Sequence, residues 1–314
     1  MKALNFNKNL IIYTIFFSLL ILLSNIAHAL VDYTDTEEFS APSRKVQKRA
    51  PRITKRSAPR RRSSSGGKKY FEFASVFSNA KYVAAEREGK VDRVDLNMRI
   101  NTDYKFFVDL SYPMYSGKIS DDQTDTSFQA GNPKMLIGLN WFQFGSSADA
   151  LAIDFLGGVS FKGKSEFAAK RTDKHVGIST SKRIQQVGLT LGYNYTFTGS
   201  PDEVDASDIG NIQSLYAEIG VIVSSDILFM LRAENFTIGA SDDDGRAMRL
   251  ENDIKYSVIK PQMKLRMSQA VDLVMEASFR MRRPKNEELS TSLGVWDLNS
   301  AYGNTLGAGL NISI

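Results

Sequence analysis

The sequence predicts an all-β fold: a closed antiparallel up-and-down transmembrane β-barrel of about 12 strands over residues 70–314, preceded by a signal peptide and a disordered basic linker. Three observations predict it. Strand-length segments alternate apolar and polar residues with period two, the connections between them alternate short and long, and the chain starts with an export signal.

Residues 1–29 carry that signal. Lys2 and Lys8 give the positive start, Leu10–Leu23 the apolar run, and Ala27-His28-Ala29 the small-residue site, so cleavage before Leu30 is expected. A retained anchor is the rival reading, because the run approaches the lower length of a spanning helix. With 0 cysteines there is no lipid-anchored N-terminus, no disulfide and no thiolate metal site. That suits a chain crossing an oxidising periplasm.

The formal net charge of +5 is unevenly placed. Residues 44–69 hold 12 Lys or Arg and no acid, whereas 26 basic and 31 acidic residues follow from Tyr70 onward. Residues 30–69 mix Pro, Ser, Gly and Arg with little to bury, which reads as a disordered linker kept extended by like charges. No aromatic interleaves between Pro42 and Lys69, so base stacking has no platform, and no nucleic-acid partner is expected. For an exported chain, the anionic surfaces that residues 44–69 would meet are peptidoglycan or lipid headgroups. The alternative is a solvated spacer.

From Tyr70 the period-two pattern begins. Val94, Leu96, Met98 and Ile100 alternate with Arg93, Asp95, Asn97 and Arg99. After a turn at 101–103, Phe106, Val108, Leu110, Tyr112 and Met114 alternate with Lys105, Asp109 and Ser111. Met135, Ile137, Leu139 and Trp141 continue it, as do Leu151, Ile153, Phe155, Val159 and Phe161. So do 187–197, 215–223, 227–233, 271–281 and 306–314. A soluble sandwich would bury such a face between sheets, and a membrane barrel would turn it to lipid. Short connections are expected at 101–103, 145–149, 182–184, 224–226 and 268–270. Long ones are expected at 80–90, 116–131, 163–173, 199–211, 236–250 and 283–300. That asymmetry, with strands of about ten residues, favours the barrel.

Eleven strands are plain, and parity requires an even number if both termini lie in the periplasm. Lys174–Ser181, with Val176, Ile178 and Thr180 in a weak row, supplies the twelfth; ten or fourteen strands are the alternatives. One segment breaks phase. Ile254, Tyr256 and Val258 share a face, whereas Ile259, Met263, Leu265 and Met267 fall on the other, which predicts a bulge near Val258–Pro261.

Gly131-Asn132-Pro133-Lys134 leading into one strand and Gly192-Tyr193-Asn194-Tyr195-Thr196-Phe197-Thr198-Gly199 closing another resemble twelve-stranded outer-membrane channels. More loosely, they resemble the family of outer-membrane transporters of phenol-degradation pathways. Ile314 stands where many such barrels carry Phe. The resemblance implies the bacterial outer membrane, passive transport, the barrel-assembly machinery as a partner, and lipid and lipopolysaccharide around the wall. It supplies no catalytic residues.

Alternation turns the charged set inward, because a midplane Arg or Lys against lipid costs roughly 2–4 kcal/mol. The lumen-facing candidates are Arg93, Asp95, Arg99, Lys105, Asp109, Lys134, Asp154, Glu218, Arg232, Glu234, Lys255, Asp272, Glu276 and Arg280, with Arg282 beside them. The signs nearly balance, so the reading is a pore for small hydrophilic solutes without a strong ion filter. The alternatives are a wall propped by salt bridges, or a barrel whose outer loops bind an external partner. No enzyme activity and no cofactor are expected. His175 is the histidine left after processing; Ser179 is near it, but no orienting acid is apparent. Acid clusters at Asp121-Asp122-Asp125, Asp202-Glu203-Asp205-Asp208 and Asp242-Asp243-Asp244 do not fit an EF-hand, so no specific metal site is expected.

Overall fold

The computed structural model describes residues 70–84, 88–102, 105–118, 127–145, 149–201, 207–241, 249–282 and 289–314. The export signal, the basic linker and most residues of the acid clusters lie outside them. Twelve long strands form the wall. They are β1 Phe71–Val83, β2 Glu88–Asn101, β3 Phe106–Gly117, β4 Lys134–Phe144, β5 Leu151–Ser160 and β6 Asp173–Ile184. The ring continues with β7 Val187–Phe197, β8 Ile212–Ser224, β9 Ile227–Ile238, β10 Ile254–Arg266, β11 Val271–Arg282 and β12 Thr305–Ser313. Each pairs antiparallel with its sequence neighbours, and β12 returns to β1 from Glu72↔Ser313 to Ala80↔Thr305. Closure leaves no open edge, so backbone donors and acceptors are satisfied without water. Both chain ends of the barrel meet at one rim, where the Tyr70 N–H donates to the Ile314 carbonyl at 3.1 Å.

The outward face is apolar on every side: Phe77, Ile137, Phe155, Leu191, Leu215, Phe229, Phe279 and Leu306 are all exposed. Aromatic side chains concentrate toward both rims, Phe106, Trp141, Phe142 and Phe144 at one and Phe128, Phe161 and Phe197 at the other. This is the girdle of a membrane-spanning barrel. The chain-end rim carries tight turns such as Gln185-Gln186 and Ser225-Asp226, and the opposite rim the long connections. That asymmetry puts the short turns on the periplasmic side in outer-membrane barrels.

Several expectations shift in detail. The connection expected at 80–90 is not a long loop, because β1 and β2 run on to Val83 and Glu88, where Lys81 pairs with Glu88 at 3.1 Å. The weak twelfth strand is full length. Its turn falls at Gln185-Gln186, with Gln185 at φ 50, rather than at 182–184. The bulge lies on the neighbouring strand. The β9–β10 ladder is unbroken from Ile227↔Leu265 to Ile238↔Ile254, whereas on the β10–β11 ladder Ser257↔Arg282 is followed by Val258↔Arg280, which leaves Met281 extra. The residues Ile254, Tyr256 and Val258 therefore do face inward, onto apolar partners that the strand pattern alone does not reveal. A further bulge at Trp141, between Asn140 and Phe142 on the β4–β5 ladder, was not expected.

Those partners are two connections of the long-loop rim that fold into the barrel. Residues 161–172 bring in Phe167, Ala168 and Ala169; residues 289–304 bring in Leu289, Leu293, Val295, Trp296, Ala301 and Tyr302, all buried. Trp296 is the hub, with ring centroids 5.4 Å from Tyr82, 5.2 Å from Phe167 and 4.2 Å from Tyr302. Burying a large apolar side chain is worth about 1.5–3 kcal/mol, so this cap has its own small core. Polar ties join its two segments to each other and to the residues leading into β4. Asn132 accepts from the Ala169 N–H at 2.6 Å and donates to the Phe161 carbonyl at 2.9 Å, and Arg171 donates to the Leu293 carbonyl at 3.0 Å. Gly294 adopts a left-handed φ of 59° against Ala169, where a Cβ would come within 2.7 Å of the Ala169 Cα.

Candidate functional site, a charged vestibule beneath an inward cap

Below the cap the lumen opens into a cavity of about 850 Å³ toward the short-turn rim. Its lining alternates in sign. Arg99, Lys105, Arg183, Arg232, Lys264 and Arg266 stand against Glu72, Asp109, Asp154, Glu218, Asp226 and Asp272. The strand registers explain this set. Glu72↔Arg99, Arg99↔Asp109 and Thr190↔Glu218 are cross-strand neighbours on one face, so the inward residues of adjacent strands form rows.

Two platforms hold arginines on opposite sides of the ring. On β4, Gly138 leaves its inner face open, and the Phe107 ring of β3 lies in the place of a Cβ. The Arg99 guanidinium stacks 4.4 Å over that ring and forks onto Asp109 with two bonds of 2.7 Å. On β7, Gly192 opens the same space for Tyr216 of β8. Arg232 lies 3.7 Å over Tyr216 and reaches Glu234 at 3.2 Å. Glycine admits the ring, the ring supports the cation, and a carboxylate fixes its direction. Each platform is close to neutral in sum.

Of the candidates from sequence, Arg99, Lys105, Asp109, Asp154, Glu218, Arg232 and Asp272 line the vestibule. Arg93 and Asp95 pair at 2.7 Å higher up, where Arg93 also donates to the Trp296 carbonyl at 3.3 Å. Glu234 is buried between Ser214, Arg232 and Asn299 of the cap. Glu276 meets Lys260 at 3.0 Å and Gln262 at 2.9 Å, and Arg280 donates to the Ala301 carbonyl at 3.2 Å. Lys134 occupies the inward row between Ser111 and Ser160.

Lys255 is the correction. It follows buried Ile254 and precedes buried Tyr256, so the pleat turns it outward, where it is exposed and 3.6 Å from Asp253. Arg282 falls opposite Ser257 beyond the bulge and is exposed as well. The inward cations of β10 are instead Lys260, Lys264 and Arg266, the last 3.9 Å from Asp272. Reading 254–266 as one unbroken alternation would have found them. Apolar residues at the upper inward positions masked the parity.

His175 stands near the outer end of β6 and faces inward. Its Nε2 lies 2.6 Å from Ser160 Oγ and its Nδ1 2.9 Å from Thr196 Oγ1, and Ser179 is two inward positions away, opposite Asp154. This hydroxyl–imidazole–hydroxyl chain joins β5, β6 and β7. Ser160 is buried, at 2 % exposure. The arrangement serves as a cross-strand tie. Among the described residues no group of three His, Asp or Glu side chains is placed to hold a metal ion. Asp208, the described member of its acid cluster, is buried and accepts from Ser241.

Comparison with solved structures gives the fold its relatives. An outer membrane channel from Pseudomonas putida F1 superposes with a TM-score of 0.56 at 9% identity, covering 78% of this chain and 96% of that one. The fold is that of bacterial outer-membrane barrels. The NanC porin aligns at TM-score 0.48 and 9% identity, over 78% of this chain and 100% of that one. Outer membrane phospholipase A from Escherichia coli aligns at 0.42 and 9%, over 81% and 94%. No protein-family model matches the sequence, and a sequence comparison with curated proteins finds no match.

Proposed function

We propose that the chain is an outer-membrane channel for small hydrophilic solutes, with a wide periplasmic vestibule and a narrow outer half. The observation that carries this reading is the vestibule itself. A barrel built only to be rigid has no use for an open chamber of about 850 Å³ whose charged lining is balanced in sign. Such a lining hydrates easily and repels neither sign of ion strongly. The inward cap then limits the size of what passes, since it fills the outer half with side chains tied to both walls. No catalytic step belongs to this reading.

One observation favours a second reading. The cap has a packed aromatic core, and a barrel sealed by it would serve as a surface-binding or structural element instead. Liposome swelling separates the two. Vesicles carrying the full chain should swell in small sugars and amino acids, with rates falling steeply as solute size rises. Swelling no faster than in protein-free vesicles for the smallest solute would reject the channel.

A further inference from the structure

The cap is tied to wall strands on more than one side, and it carries one exposed charged side chain between those ties. Trp296 is tied to the β1–β3 side, through its ring against Tyr82 and its carbonyl to Arg93. Three residues later Asn299 donates to Glu234 of β9 at 3.4 Å, and Ser300 and Ala301 bond Ser278 and Arg280 of β11. Residues 295–301 are folded into tight turns there, the Leu298 N–H donating to the Val295 carbonyl at 3.1 Å and the Ala301 N–H to the Leu298 carbonyl at 3.2 Å, so 297–298 lie between the tie to β2 and the ties to β9 and β11. Asp297 is the exposed residue of this stretch, between buried Trp296 and half-buried Leu298. It lies within electrostatic reach of Arg93 and Tyr115 on one side, Lys134 and Asp173 on another, and Tyr256 across from them.

Most inward charges at this level are already cancelled. Arg93 is paired with Asp95, Arg171 with Asp173, Arg232 with Glu234, and Lys260 with Glu276. Among the described residues Asp297 and Lys134 have no hydrogen-bonding or ion-pair partner within contact distance. Lys264 and Glu218 are in the same condition, but they stand in the wide vestibule, where water screens them.

Resting on the channel reading, we propose that Asp297 of the cap and Lys134 of the wall are the two charges that set ion selectivity, an eyelet of opposite signs at the level of the cap. A solute bearing both signs, such as a small amino acid, meets a favourable partner for each end there. A singly charged solute meets one attraction and one repulsion.

The test is the reversal potential of the full chain in planar bilayers under a salt gradient. Wild type should be nearly non-selective. Asp297→Asn should lower the cation-to-anion permeability ratio, and Lys134→Gln should raise it. Each shift should be roughly twofold or more, the effect of one unit charge about 8 Å from an ion in water-like surroundings. Asp297→Glu and Lys134→Arg, which keep the charge, should stay near wild type, as should Lys255→Gln on the outer face. Heat-modifiable gel mobility establishes that each variant is folded. A conducting wild type whose ratio is unmoved by both charge removals overturns the eyelet and leaves the channel standing. A silent wild type overturns the channel, and the eyelet with it.

Discussion

Leu191 and Thr190 are adjacent on β7, and their substitution by Arg separates the two faces of the wall. Leu191 sits mid-strand, paired with Thr180 and Ala217, and its side chain is 55% exposed on the outward face. In a bilayer that position meets acyl chains near the midplane. An Arg there costs roughly 2–4 kcal/mol, so Leu191→Arg should lower the folding equilibrium about 30- to 900-fold. Thr190 faces the vestibule directly opposite Glu218. Arg at 190 gains a carboxylate neighbour and water, and an ion pair so solvated contributes about 0–1 kcal/mol. The assay is urea unfolding in phosphatidylcholine vesicles, followed by tryptophan fluorescence. Trp141 on the outward face and Trp296 in the cap report from opposite sides of the wall. Loss of stability in Leu191→Arg with Thr190→Arg near wild type is the expected result. Equal losses in both, or a neutral Leu191→Arg, would refute the assignment of faces.

Two further predictions follow from register and charge. Lys255→Cys should react on intact cells with an impermeant maleimide, while Tyr256→Cys, beneath the cap, should stay unreactive; the chain has no native cysteine to confuse the result. Equal labelling at both would return β10 to the broken register. The basic segment 44–69 is proposed to tether the barrel to peptidoglycan. Co-sedimentation of the full chain with purified sacculi should be lost in a chain starting at Lys69, and lost at 1 M salt, where the Debye length falls to about 3 Å. Sedimentation unaffected by truncation would remove the tether.

The wall was legible in the sequence because lipid enforces its pattern. Outward positions within the hydrocarbon band must be apolar, so Val94–Ile100 or Met135–Trp141 announce their face without knowledge of any partner. Even the weak strand at Lys174–Ser181 showed its face through Val176 and Ile178. Inward positions carry no such rule, since water, a carboxylate or an apolar loop are all acceptable neighbours. Hence Ile254, Tyr256 and Val258 looked like a phase error, when they are the seat of the cap. The cap was hidden for the same reason. Residues 283–300 read as one more long connection, and only their load of Leu289, Leu293, Val295, Trp296 and Leu298 marks them for burial. The motif Gly131-Asn132-Pro133 carries a family resemblance, yet its physical work is local. Asn132 satisfies the backbone of residues 161 and 169. The platforms at Gly138–Phe107–Arg99 and Gly192–Tyr216–Arg232 join residues distant in sequence, and only the strand register brings them together.

The most direct test of a solute path narrowed by an inward cap is single-channel recording of the full chain beside Trp296→Ala. Truncating a buried Trp typically costs about 3–5 kcal/mol of local packing, here spread over Tyr82, Phe167 and Tyr302 of the cap and wall. Small discrete openings are expected for the native chain, and larger or longer-lived ones for the variant at unchanged barrel stability in gel mobility. A folded variant whose conductance equals that of the native chain would contradict a path controlled by the cap, and silence from both would contradict the path itself.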